Sequence, residues 1–128
     1  MVAFLQNVAI DCADAHRLAR FWSEVTGNPV DPEDGPGDPE VDVLLPEGPN
    51  LHFNQVPEAK TVKNRLHLCL RPQASCEEEF TRLLDLGATL VDDRREPDCR
   101  GWVVLADPEG NEFCILRGVK ERAAAHGS

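Results

Sequence analysis

Residues 101–116 read GWVVLADPEGNEFCIL. Two apolar runs flank Asp107-Pro108-Glu109-Gly110-Asn111, whose composition is that of a tight turn, so the stretch predicts a β-hairpin. A fainter copy lies near mid-chain, where Pro46-Glu47-Gly48 precedes Leu51-His52-Phe53. The copy raises the question of an internal repeat, and the rest of the chain answers it.

Working outward, Asn64 to Arg71 alternates, with Leu66, Leu68 and Leu70 on one face and Arg65, His67, Cys69 and Arg71 on the other. Ser75 and Glu78 form a capping box for a helix whose stripe is Cys76, Phe80, Leu83 and Leu84, ended by Gly87. A strand around Ala88–Asp92 and a polar loop lead back to the hairpin. The first half begins in the same way. Residues 3–11 predict a strand with Val8 and Ile10 inward, and Asp14 caps a helix to about Thr26. Leu18, Phe21, Trp22 and Val25 make its apolar stripe, and Gly27 sits at the left-handed C-cap. Val30 opens a short strand. The segment DPEDGPGDP (31–39) predicts an exposed, mobile loop, and residues 40–45 and 50–56 two further strands.

Asn7 to Gly27 and His67 to Gly87 are each 20 positions apart, and Pro46 to His52 matches Pro108 to Cys114 at six. The halves therefore overlay as two βαβββ modules, about 3–56 and 64–117, within one α+β domain of residues 1–118; residues 119–128 are read as a tail with no required burial. Four strands with one helix leave a sheet face uncovered. Two such modules side by side give a curved mixed sheet around a concave cup, with the helices outside. Strand alternation puts Val8, Ile10, Leu51, Phe53, Leu66, Leu68, Leu70, Phe113 and Ile115 under the helices. It turns Asn7, Ala9, His52, Asn54, His67, Cys69, Glu112 and Cys114 toward the cup, with Trp102 either lining it or packing the hairpin.

Bulk properties narrow the function. The chain has 128 residues, 41% of them hydrophobic, which suits a packed domain. Its net charge of −10, from 23 acidic and 13 basic residues, argues against nucleic acid and leaves room for a cationic small molecule. No run approaches the ~20 apolar residues of a membrane span, and the N-terminus has no secretory pattern, so a cytoplasmic protein is expected. Five cysteines without CxxC spacing predict reduced thiols rather than a disulfide framework.

Four cues carry a resemblance: Asn7-Val8-Ala9-Ile10-Asp11 before a helix, Phe21-Trp22 leading to Gly27, Leu66-His67-Leu68 opening the second half, and the DPEGN turn before the last strand. On these residues the chain resembles the vicinal oxygen chelate superfamily (glyoxalase I, bleomycin-resistance proteins, extradiol dioxygenases), and most of all its small glyoxalase-like proteins. The resemblance implies a homodimer. In metal-dependent members four inward positions hold one divalent ion, usually as His or Gln, Glu, His and Glu. Carried over, they fall on Asn7, His52, His67 and Cys114, of which only His67 keeps its usual occupant.

Three readings follow. The first is a small-molecule-binding protein that holds a cationic or drug-like ligand without a metal, using Asn7, His52, Asn54, His67, Trp102, Glu112 and Cys114. The second is a lyase, isomerase or dioxygenase in which His52 and His67 bind zinc, iron, nickel or manganese to polarise vicinal oxygens. The third is a non-catalytic interaction module.

Overall fold

A computed structural model describes residues 1–122. The chain is α+β, with one three-stranded and one four-stranded sheet, and it divides into two compact units, Met1–Lys60 and Thr61–Ser128.

The first unit runs β1 (Asn7–Cys12), α1 (Ala15–Thr26), β2 (Glu40–Val43) and β3 (Asn50–Gln55). Its sheet order is β1-β3-β2, with β1 parallel and β2 antiparallel to β3. The Asp14 carboxylate accepts from the backbone N–H of Arg17 at 3.1 Å, satisfying an N–H that the first helical turn cannot. Gly27, at φ 72°, closes the other end by donating to Ser23 O at 2.9 Å. The intervening stripe buries Ala15, Leu18, Ala19, Phe21, Trp22 and Val25. They pack over β2 and β3, whose Val41, Val43, Leu51 and Phe53 are fully covered. Each large side chain so buried contributes ~1.5–3 kcal/mol.

One expectation for this unit changes. Val30 forms only an isolated bridge to Val43, not a strand; Pro29 and Pro32 flank it and supply no N–H for a longer ladder. The acidic loop is closed by its own side chains: Asp38 accepts from Gly35 N at 2.8 Å, and Asp34 accepts from Asp42 N at 2.9 Å.

The second unit contains the full βαβββ order: β4 (Leu68–Leu70), α2 (Cys76–Leu86), β5 (Thr89–Asp93), β6 (Trp102–Ala106) and β7 (Glu112–Leu116), with sheet order β4-β7-β6-β5. The hairpin forms as expected, and Asp107 explains its sequence. This buried carboxylate accepts from the N–H groups of Glu109 and Asn111 at 2.9 and 3.0 Å and from the Asn111 amide, while Gly110 takes φ 91°. Ser75 caps α2 through Glu78 N at 3.1 Å, but the Glu78 carboxylate faces Lys120 Nζ at 3.5 Å.

β4 is three residues long rather than eight, and Leu66 is 86% exposed instead of lying under a helix. Asn64 supplies the reason. Its side-chain oxygen accepts from Glu112 N at 3.1 Å, so the chain before residue 68 is held to β7 by a side chain and not by a ladder. The cysteine expectation also fails in part, because Cys76 and Cys99 form a disulfide. Their separation of 23 residues hides the pair from spacing rules; the β5–β6 loop brings them together. Residues 119–122 form a helical turn at the start of the tail, with Val119 N donating to Pro72 O at 2.9 Å. The remainder of the expected tail lies outside the described residues.

Candidate functional site

Pairing in the first unit builds a polar face from its registers. Ala9, His52 and Asp42 stand in one row across the three strands, and Asp11, Asn54 and Glu40 in the next. Side chains at alternate positions share a face, so both rows lie opposite the apolar pairs Val8–Leu51 and Ile10–Phe53. His52 sits at the centre of the polar face. Its Nδ1 makes a short hydrogen bond with Asp42, and its Nε2 lies 3.0 Å from Asn54 Oδ1 and 3.3 Å from Glu40 Oε1. The bond to Asp42 lifts His52 above its ordinary 6.5; burial opposes this, and the Asp42 charge, Glu40 and Asn54 add to it. All of these neighbours are acceptors toward the ring, so the imidazolium, with an N–H on each nitrogen, is the form this setting favours.

Glu40 and Asp42 did not stand out in the sequence. The signal was present in the alternation Glu40-Val41-Asp42-Val43, which puts both acids on one face and both valines on the other. Asn7 is half-buried at the start of β1, opposite Asn50.

The second unit has a different face. Cys69 and Cys114 are direct partners across the parallel β4–β7 pair, and Val104 partners Cys114 on its other side. His67 Nδ1 lies 3.7 Å from Cys114 Sγ. Burial, reinforced by Cys69 and by the charge of Glu112, pushes the Cys114 thiol up to about 11, with Lys63 pulling the other way. It is therefore a protonated thiol near neutral pH and a poor nucleophile. Glu112 accepts from Lys63 Nζ at 2.5 Å, which places a cation on the acid that shares Cys114's strand face. Trp102, at the start of β6 opposite Leu116, is 45% exposed.

The donors at the four superfamily positions do not fit a divalent ion. Asn7 offers a neutral amide. His52 has both ring nitrogens engaged by Asp42, Glu40 and Asn54, and burial keeps the proton on Cys114. His67 alone retains its usual identity, with Nδ1 turned to a thiol. Among the described residues, one group of His, Cys, Asp and Glu ligand atoms lies close together within the second unit, at Cys76, Cys99 and Glu121.

Comparison with known proteins agrees with the fold. The glyoxalase-like domain family matches residues 7–116. No curated protein matches the chain. Among solved structures, the oxidase ChaP-H2 is 25% identical, with 91% of this chain and 94% of that one covered at a TM-score of 0.66. A glyoxalase/bleomycin resistance protein/dioxygenase family enzyme from Burkholderia phytofirmans is 20% identical, covering 88% and 97% at 0.68. A mutant of the fosfomycin resistance protein FosX from Listeria monocytogenes, complexed with Mn(II) and a dihydroxypropylphosphonic acid, is 15% identical, covering 98% and 99% at 0.70. The last two likenesses show the fold alone. No helix among the described residues is long and apolar enough to cross a membrane.

Proposed function

Because the chain belongs to the glyoxalase-like domain family, we propose that it binds a small organic cation without a metal ion, in the manner of a sequestering protein rather than a metalloenzyme. The observation that carries this reading is His52, held between Asp42, Glu40 and Asn54 with both ring nitrogens engaged. Two carboxylates already share one cationic group there, so a ligand ammonium or amidinium has a ready set of acceptors in place of the imidazolium. The net charge of −10 favours its approach. Asn7 and Asn54, on the strand face of His52, are the further contacts we assign to the ligand; His67, Trp102, Glu112 and Cys114 belong to the second unit and form a separate candidate face there. The protein is taken to work as a cytoplasmic homodimer that binds no nucleic acid.

The exchange has a proton signature. A cation that displaces the His52 charge from Asp42 and Glu40 releases a proton, so its affinity rises with pH through the raised His52 titration. A neutral ligand lacks this dependence.

Thermal melting of untagged protein with organic cations, at about pH 6 and about pH 8, tests the reading. Binding at ~100 Kd adds ~2.7 kcal/mol, and the gain is expected to be larger at the higher pH. Metal analysis of the same protein covers the alternative of a metal-dependent lyase, isomerase or dioxygenase. A stoichiometric divalent ion that is lost in His67→Ala would overturn the proposal. If no small molecule moves the melting temperature, the interaction-module reading takes its place.

A further inference from the structure

Apart from the faces described above, the second unit brings three metal-ligating side chains together from segments far apart in sequence. Cys76 is the first residue of α2, Cys99 lies in the β5–β6 loop with φ 66°, and Glu121 belongs to the helical turn at 119–122. One ligand atom from each lies within 4.8 Å of the others. Cys76 is buried, whereas Cys99 and Glu121 are half-buried. A cavity of about 530 Å³, lined by Glu77, Asp93, Arg95, Glu96, Pro97 and Cys99, borders the cluster at Cys99.

The surroundings hold this trio in place. Glu121 Oε1 accepts from Cys76 N at 2.6 Å and from Gly118 N at 3.0 Å, which fixes the carboxylate over the two sulfurs. Gly118 permits the approach, since a Cβ there would stand 2.1 Å from Ala74 O. Arg95 Nη1 lies 3.9 Å from Cys76 Sγ, and its guanidinium is itself fixed by Asp93 at 2.8 Å, by Glu77 at 2.7 Å and by stacking 5.1 Å over Phe80. A cation at that distance favours a thiolate on Cys76 once the disulfide opens, as does the N-terminus of α2.

We propose that the Cys76–Cys99 disulfide masks a site for one thiophilic divalent ion of the zinc class, which reduction opens with the two thiolates and the Glu121 carboxylate as ligands. The site shares no residue with the ligand-binding face and does not depend on the function proposed above. Two thiols of a cellular monothiol, or one dithiol, supply two electrons that break the S–S bond and leave as a disulfide, and their two protons pass to Cys76 and Cys99. The ion then binds both sulfurs and displaces those protons to solvent. Zinc–sulfur bonds of ~2.3 Å in a tetrahedron hold two sulfurs ~3.8 Å apart. The Cα atoms, already 6.6 Å apart, reach that spacing by side-chain rotation. Three protein ligands leave the fourth position to water.

Cobalt(II) is the probe, added to the intact chain before and after treatment with a non-coordinating phosphine. The expected result is one equivalent bound only after reduction, with sulfur-to-cobalt charge-transfer absorption. Cys99→Ser should abolish that absorption, and Glu121→Gln should weaken binding by at least ~10-fold, the scale set by the loss of even an outer partner. Cys69→Ser and Cys114→Ser should leave it unchanged, and circular dichroism verifies that each variant is folded. Equal binding by the oxidised protein overturns the proposal. So does absence of the absorption after reduction, or its loss in Cys69→Ser or Cys114→Ser with retention in Cys99→Ser.

Discussion

The two units share a connectivity, less one strand in the first, and hold their helices by different means. In the first, α1 buries six residues over β2 and β3, with Asp14 capping its start. In the second, α2 buries only Cys76 and Leu83; Phe80 is half-covered beneath Arg95, and Leu84 is 39% exposed. That helix is fastened by its polar and covalent edges: the disulfide, the Glu121 carboxylate on Cys76 N, and Arg95 spanning Glu77 and Asp93. The difference shows that one helix-on-sheet layout tolerates either an apolar stripe or a set of stitches. The stitched version responds to redox state and charge, which the apolar version does not.

The largest test of this contrast is Trp22→Ala. Removing the largest fully buried side chain should cost ~3–5 kcal/mol, read by hydrogen exchange as lost protection in the first unit. A greater loss from Leu83→Ala in the second unit would break the comparison. Next in size is reduction of the disulfide in the presence of a chelator. For a closed loop of this length the chain-entropy relation gives about 3 kcal/mol, and protection should fall in the second unit while the first keeps its own. The helix caps come third, because both units use them in the same way. Asp14→Ala and Ser75→Ala should each cost ~1 kcal/mol in denaturant titrations, so unequal values would show that the caps too are used differently.

The smallest effect is that of His52, and it belongs to the first unit alone. Its folded pKa is raised, so its contribution is complete below about 6.5 and is lost as pH rises through the higher folded value. Stability of the protein minus that of His52→Gln should fall over that window, and a flat difference would remove His52 from the charge network. Asp93 in the second unit has the opposite sense. The Arg95 hydrogen bond holds its carboxyl below the ordinary 3.8, so its contribution is present above that value and fades as pH falls through the lower one.

Features encoded within a few residues were legible in the sequence. Both N-caps, both glycine C-caps, the α1 stripe and the DPEGN hairpin stand where spacing placed them. The shortfalls are long-range. β4 stops at three residues because Asn64 reaches Glu112, 48 positions away, and alternation along one strand carries no sign of that bond. The Cys76–Cys99 pair depends on the path of the β5–β6 loop, and Glu121 meets Cys76 across 45 positions. At the candidate site, His52 was legible as a polar residue on a strand face. Its acid partners were not, because Asp42 lies opposite it only through the β2–β3 register. Reading candidate residues strand by strand names the centre of such a site and misses the neighbours that set its charge.

The Asp107 turn has one more consequence, concerning parity. Side chains on a strand alternate with a period of two, so a turn that adds or drops a single residue exchanges the faces of the whole returning strand. With its carboxylate bonded to Glu109 and Asn111, and Asp107 N donating to Asn111 O at 2.8 Å, the loop has a fixed count. That count alone sends Phe113 and Ile115 to the apolar layer and Cys114 to the face of Cys69. A one-residue insertion among positions 108–110 would put the thiol into the core and the phenyl ring where Cys114 now stands. The buried aspartate thus sets which of two mirror assignments the last strand displays, and the chemistry of that face rests on a hydrogen-bonded count of five residues, Asp107 to Asn111.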